Sequence, residues 1–160
     1  MNIRPATKDD VEFLKEMVYE AARWNPDWPR EPIEEVLGEP VIRRYHEGWG
    51  RDGDGGVLAE LEGVPVGAAW YRVFSADEPG YGFVDEKTPE LSIAVVPLHR
   101  RKGIGEAILR ACMVQAREEG FQSLSLSVAP HNRSRMMYQR AGFEKVAEDD
   151  GGSWTMVANL

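Results

Sequence analysis

The sequence contains one cysteine, three histidines and no long hydrophobic run. A single cysteine, Cys112, excludes an intrachain disulfide, and the helical apolar pattern around it predicts a buried thiol. The histidines lack the spacing of metal ligands, so we predict no metal site. No segment approaches the ~20 apolar residues of a membrane span, and residues 1–5 lack an apolar signal region. We therefore expect a cytoplasmic protein with no membrane partner.

Acidic residues outnumber basic ones, 27 to 19, which gives a formal net charge of −8. A surface of this sign repels the phosphate backbone, so we expect no nucleic-acid partner. The charge favours cationic or amine-bearing partners instead. A length of 160 residues corresponds to one ordinary domain. We predict a single domain over residues 1–160.

Hydrophobic periodicity predicts an α/β (α+β) fold with a mixed central sheet. Apolar residues recur at helical spacing after the capping residue Thr7, and again from Ile104 until the stop signal Gly120. The strand, helix and strand between Leu91 and Val128 predict a right-handed parallel crossover. We expect about four helices (7–24, 33–47, 104–119 and 132–140) and six to seven strands, with six located at 57–61, 66–74, 91–96, 122–128, 143–147 and 153–158. Residues 3–6 form a short apolar start.

Two segments predict loops. Residues 24–32 combine three prolines with two tryptophans, which is typical of a stiff loop. Residues 48–56 contain five glycines and two aspartates but lack the spacing of a calcium loop. We predict a flexible connector there.

The most informative motif is the run Arg100, Arg101, Lys102, Gly103, Ile104, Gly105 between a strand and a helix. Helix N-termini favour acidic residues because the macrodipole is positive there, so three consecutive cations predict that an anion binds. The two glycines lack Cβ atoms, which lets ligand oxygens approach unpaired backbone N–H groups. The run matches neither a P-loop nor a dinucleotide fingerprint. The alternative is a tight turn with solvated charges.

This loop resembles the GNAT superfamily of acyl-CoA-dependent N-acetyltransferases, and the resemblance covers nearly the whole chain. Arg100, Gly103 and Gly105 match its signature, in which Arg or Gln is followed at fixed spacing by Gly, any residue, and Gly or Ala. The resemblance implies acetyl-CoA as acyl donor, with the strand around Ala94 and Val95 pairing with the pantetheine arm. It assigns the diphosphate to the backbone amides of Arg101, Lys102, Gly103, Ile104, Gly105 and Glu106.

The resemblance also implies a catalytic tyrosine. Tyr138 precedes the Gly142–Phe143 pair and would protonate the departing thiolate of CoA. Asn132 would contact the pantetheine arm. Asn132 lies six residues before Tyr138, whereas in many relatives the asparagine that contacts the coenzyme lies seven residues before the tyrosine. His131 occupies that position here and is the alternative.

Glu90 stands where many members of the superfamily place a general base. A backbone N–H near Val95 would stabilise the oxyanion. The ordinary pKa of a glutamate lies some six units below that of a lysine-like amine, so a raised pKa or a water relay is needed. Four other carboxylates are alternatives: Asp77, Glu78, Asp85 and Glu86.

The expected activity is acetyl transfer from acetyl-CoA. A primary amine of a small molecule or a peptide would attack the thioester directly. A homodimer is common among the proteins that this chain resembles. The alternatives are a non-catalytic acyl-CoA-binding regulator, which would not need Tyr138, and a structural protein without a ligand. An aromatic wall around the amine is predicted from Trp24, Trp28, Trp49, Trp70, Tyr71, Tyr81 and Phe83.

Overall fold

The computed structural model describes residues 1–160. Its helices are α1 (Val11–Ala22), α2 (Ile33–Leu37), α3 (Pro40–Arg43), α4 (Ile104–Glu118) and α5 (Ser134–Arg140). Its strands are β1 (Asn2–Pro5), β2 (Gly55–Leu61), β3 (Val64–Arg72), β4 (Glu90–Val95), β5 (Ser123–Val128), β6 (Glu144–Glu148) and β7 (Trp154–Asn159). Short 3-10 helices at Lys8–Asp10 and Pro97–His99 precede α1 and α4. None of the helices combines the length and the apolar character that a membrane crossing requires.

One mixed sheet contains all seven strands, in the order β1-β2-β3-β4-β5-β7-β6. Neighbours are antiparallel except β4 and β5, which α4 connects in the predicted crossover. β4 pairs with β3 along its whole length but shares only one register pair with β5, Glu90 with Ser125. The two parallel strands therefore separate towards their carboxyl ends. The predicted mixed α/β (α+β) fold is confirmed.

Side-chain alternation along the strands builds a hydrophobic core on each face of the sheet. Ala68 and Trp70 of β3 pack with α1, α2 and α3, whereas Ala69 and Tyr71 pack with α4 and α5. The same alternation places Glu90 of β4 on the face of Trp70. The sheet thus separates the layer of α1 to α3 from the layer of α4 and α5.

The single helix predicted over residues 33–47 is wrong, because the segment forms two short helices followed by turns. Pro40 has no N–H to donate, and the residue before it, Glu39, is extended at φ −61° and ψ 137°. After α3 the chain continues in turns, and Gly48 and Gly50 have positive φ of 68° and 102°.

The flexible connector predicted over residues 48–56 is also wrong, because this segment is bound to the sheet. Gly55 and Gly56 belong to β2, and the carboxylate of Asp54 accepts hydrogen bonds from the N–H groups of Gly50 and Arg51. Asp54 also pairs with the buried Arg72, with Nε to Oδ1 at 2.8 Å and Nη2 to Oδ2 at 3.1 Å. The remaining Arg72 nitrogen donates to the carbonyls of residues 44 and 47.

We expect Asp54→Ala to destabilise the protein by about 3 kcal/mol or more, because it leaves the Arg72 guanidinium buried without its partner. Urea unfolding measures the change. Asp52→Ala, on an exposed residue two positions earlier, is the matched control and should change the unfolding free energy by less than about 0.5 kcal/mol. Equal effects of the two substitutions would contradict this account of the segment.

Candidate active site

The space between β4 and β5 beyond Glu90 and Ser125, termed here the β4–β5 gap, exposes backbone hydrogen-bonding groups. The N–H of Val96 donates to the Val66 carbonyl at 2.8 Å. Because alternate residues of a strand direct their backbone N–H and C=O groups to opposite sides, this bond determines which residues of β4 pair with β3. The peptide groups of Ala94 therefore pair with β3. Those of Ile93 and Val95 face the gap instead. Of the two strand residues that the sequence analysis assigned to pantetheine, only Val95 turns its backbone towards the gap.

Residues 100–106, the anion loop, present a series of unpaired backbone N–H groups. None of the N–H groups from Arg101 to Glu106 donates a hydrogen bond within the chain. Arg101 and Gly103 have positive φ of 63° and 82°, and Gly103 is the N-cap of the 15-residue helix α4. The side chains of Arg101 and Lys102 are exposed. Unpaired amides, the positive end of a helix dipole and two exposed cations form a site for a polyoxygen anion.

The first cation of the loop is already engaged by the protein. Arg100 Nε donates to the Val95 carbonyl at 3.0 Å, and its Nη2 donates to Glu20 Oε1 at 3.1 Å. Only two of the three predicted anion-binding cations are therefore unengaged by a carboxylate. Glu20, which lies 80 residues away in α1, was missed. Arg100 therefore connects the anion loop to α1 and to the end of β4.

Gly105 lies between the β4–β5 gap and α5. A Cβ added there would be 3.7 Å from Met137 Sδ and 3.9 Å from Val95 Cγ2, which is ordinary van der Waals contact. A longer side chain would fill the space between these two residues. Gly105 thus leaves the space between Val95 and Met137, beside the anion loop, free of a side chain of its own.

Tyr138 lies in α5 and packs edge-on against Phe143, with ring centroids 5.9 Å apart. Burial raises the pKa of Tyr138 well above its usual range, and the nearby Ser134 side chain offsets this rise in part. The phenol therefore keeps its proton at neutral pH. A buried, protonated phenol can donate to a thiolate.

Asn132 acts at the start of α5. Its Oδ1 accepts from the N–H of Ser134 at 2.9 Å, and its carbonyl accepts from the N–H of Arg135 at 3.2 Å. His131 is exposed and has a positive φ of 65°. Asn132 thus fixes the turn that precedes α5, whose N-cap is Arg133, and its side-chain amide nitrogen makes no hydrogen bond within the chain.

Glu90 lies at the narrow end of the gap and is 3% exposed. Its Oε2 accepts from the hydroxyl of Tyr45, and its Oε1 accepts from the N–H of Gly82 at 3.0 Å. Burial raises the pKa of Glu90 to about 7, although these two hydrogen bonds lower it. The raised pKa, one of the two conditions under which Glu90 could serve as a base, is therefore present. Its partner Tyr45, in the segment predicted as a long helix, was missed.

Residues 79–83, the glycine loop, cover Glu90. A Cβ at Gly80 would overlap Glu90 Oε1 and the Tyr45 hydroxyl, and one at Gly82 would lie 2.5 Å from the Leu126 carbonyl carbon in β5. The Tyr45 hydroxyl also accepts from the N–H of Tyr81 at 2.7 Å. The glycines allow this close approach, which removes water from the carboxylate.

The predicted aromatic wall is wrong for Tyr71, which lies on the opposite face of the sheet from Trp70, whereas Trp49 and Phe83 pack against the core cluster that contains Trp70. Trp70 and Tyr71 are fully buried on opposite faces of the sheet. Trp24 and Trp28 contact each other in the loop after α1, with ring centroids 5.2 Å apart. Tyr81, 60% exposed, stacks on Tyr45 beside Glu90. The four alternative carboxylates Asp77, Glu78, Asp85 and Glu86 are all exposed.

The family model that describes the acetyltransferase (GNAT) family matches residues 15–143. The chain belongs to this family. A curated [ribosomal protein bS18]-alanine N-acetyltransferase of Haemophilus influenzae is 35% identical over 63 residues, which cover 39% of this chain and 42% of that protein. The chain therefore matches less than half the length of this curated relative.

Two solved structures have the same fold. The ribosomal-protein-alanine N-acetyltransferase of Brucella melitensis has a TM-score of 0.71 and 25% identity, with 100% of both chains covered. The GNAT phosphinothricin acetyltransferase of Sinorhizobium meliloti, solved in complex with acetyl-CoA, has a TM-score of 0.70 and 21% identity over 99% of this chain and 88% of that chain. At 21% identity the likeness shows the fold alone.

The raised pKa of Glu90 in this GNAT chain predicts a pH-dependent stability. At pH values below the ordinary glutamate pKa of 4.5, both the folded and the unfolded states hold the proton. Between pH 4.5 and about 7 only the unfolded state releases it, so stability falls as pH rises. We expect the wild type to lose about 3 kcal/mol relative to Glu90→Gln across this range. Urea unfolding at several pH values measures the difference, and a difference independent of pH would contradict the raised pKa.

Proposed function

We propose that this protein is an N-acetyltransferase that moves an acetyl group from acetyl-CoA to a primary amine of a small molecule or a peptide. The observation that carries the proposal is the series of unpaired N–H groups from Arg101 to Glu106, adjacent to the β4–β5 gap. A diphosphate fits such a series because its many oxygens accept several hydrogen bonds at once. The homodimer and the cytoplasmic location expected from the sequence stay predictions.

The gap suits the pantetheine arm of the donor. The peptide groups of Ile93 and Val95 that face it can pair with the amides of an extended group, as an added strand would. Gly105 leaves room for the passage from diphosphate to gap. Acetyl-CoA supplies the acetyl group as a thioester. The acyl-CoA signature and the acetyl-CoA complex of the S. meliloti family member support the same donor.

Glu90 is the proposed general base. Its pKa of about 7 lies about one unit below that of a peptide α-amine and more than three units below that of a lysine amine. Proton transfer from an α-amine is therefore less uphill than transfer from a lysine. This comparison favours the α-amine of a peptide as acceptor. Both alanine N-acetyltransferases named above are consistent with that class.

An ammonium acceptor loses two protons in the transfer and the thiolate gains one, so each turnover releases one proton to solvent. The ammonium first gives one proton to Glu90, and the free amine nitrogen then bonds to the thioester carbon and passes its second proton to solvent. The N–H groups of Ile93 and Val95 face the gap, where one of them can stabilise the oxyanion. The carbon–sulfur bond then breaks, and Tyr138 donates its proton to the leaving thiolate.

Gly105→Leu should weaken CoA binding by about tenfold or more, because its side chain would occupy the space between Val95 and Met137. Titration calorimetry with CoA measures the dissociation constant. The matched control is Gly105→Ala, whose Cβ makes only ordinary contacts and which the family signature accepts. If the leucine variant binds CoA as tightly as the alanine variant, the cofactor does not pass Gly105.

The function is tested by screening amines, aminoglycosides, polyamines and peptides for release of free CoA thiol from acetyl-CoA. With an accepted amine, Tyr138→Phe should lower kcat by about 100-fold and leave CoA affinity unchanged, because the ring still packs against Phe143. The control is Tyr81→Phe, which keeps the backbone N–H that binds Tyr45. Unchanged turnover in Tyr138→Phe would remove the proposed acid. CoA binding without thiol release for any amine would favour the acyl-CoA-binding regulator.

A further inference from the structure

One carboxylate joins the anion loop to the segment between α1 and α2. Glu20 Oε1 accepts from Arg100 Nη2 at 3.1 Å, and Glu20 Oε2 accepts from Arg30 Nη2 at 2.7 Å. The Glu20 side chain is 14% exposed, whereas those of Arg100 and Arg30 are 36% and 46% exposed. The two guanidinium groups thus share a carboxylate that is largely shielded from water.

Arg30 belongs to the proline-rich segment 24–32, and its contacts fasten that segment to α1. Its guanidinium lies over the ring of Tyr19, with the carbon 4.8 Å from the ring centroid. The Tyr19 hydroxyl donates to the Glu31 carbonyl at 2.7 Å. A cavity of about 290 Å³ lies between this segment and Val96, the residue that follows β4. Arg30 therefore lines a cavity beside the carboxyl end of β4.

Arg100 has competing acceptors at this point. Its Nε donates to the Val95 carbonyl, which faces the β4–β5 gap, while its Nη2 donates to Glu20. A diphosphate bound to the neighbouring N–H groups would attract the same guanidinium by charge. When a bound diphosphate attracts Arg100, the ion pair between Arg100 and Glu20 weakens. Glu20 then pairs more fully with Arg30.

We propose that Glu20 is a positioning residue that couples anion binding at residues 100–106 to the order of segment 24–32. The inference rests on the proposed CoA site. It goes further by connecting that site to a segment that contains no residue of the CoA signature. The coupling runs from Arg100 through Glu20 to Arg30 and the backbone at Glu31.

Calorimetric titration with CoA tests the coupling. Glu20→Gln should tighten CoA binding by about threefold, because Arg100 loses the carboxylate that competes for it. Arg30→Gln should weaken CoA binding by about threefold, because Glu20 is then left to Arg100 alone. Since Arg30 acts only through Glu20, the double variant should bind CoA like Glu20→Gln. The control is Glu16→Gln, one turn earlier in α1 beside the same cavity and without an ion pair, which should not change the affinity.

Additive effects of the two substitutions would overturn the proposal, because two charges acting independently through space give a sum. A second measurement is hydrogen exchange of residues 24–32 with and without CoA. Exchange should slow on CoA binding in the wild type and stay unchanged in Glu20→Gln. Equal slowing in both proteins would overturn the coupling while leaving the CoA site intact. Absence of CoA binding to the wild type would overturn the proposed function together with this inference.

Discussion

The separation of β4 from β5 is the constraint on which the rest of the site depends. The two strands share one register pair, so the backbone groups of Ile93 and Val95 have no strand partner inside the sheet. An unpaired strand edge normally invites another chain to add to it. Here the edge lies inside a seven-stranded sheet, so only a narrow, extended group can pair with it. Arg100 covers part of the edge by donating to the Val95 carbonyl.

The two ends of β4 have opposite chemistry. Its carboxyl end leads into the anion loop, where unpaired N–H groups and exposed cations concentrate positive potential in a chain of net charge −8. Its amino end begins with Glu90, a buried carboxyl group whose pKa is raised by burial to about 7. Five residue steps along a strand separate these ends by roughly 16 Å. A site for an anionic ligand and a carboxyl group that can accept a proton thus lie at opposite ends of one strand.

Local sequence patterns predicted the elements of this fold well where packing repeats at a fixed period. Alternation of leucine and serine placed a strand at 122–128 that the structure has at Ser123–Val128, and the predicted cap Thr7 caps the 3-10 helix Lys8–Asp10 that precedes α1. The patterns failed where one residue interrupts the period, as Pro40 does in the predicted helix 33–47. Pairings such as Glu20 with Arg100 join residues 80 positions apart and leave no periodic signal. Tyr45 was missed as a partner of Glu90 for the same reason.

The basicity of Glu90 depends on the loop that covers it. Burial is the main cause of its raised pKa, and the glycines at positions 80 and 82 are what allow the loop to approach so closely. Opening this loop would hydrate the carboxylate and return its pKa towards the ordinary value of 4.5. The close packing of residues 79–83 therefore sets the raised pKa on which the proposed role of Glu90 depends.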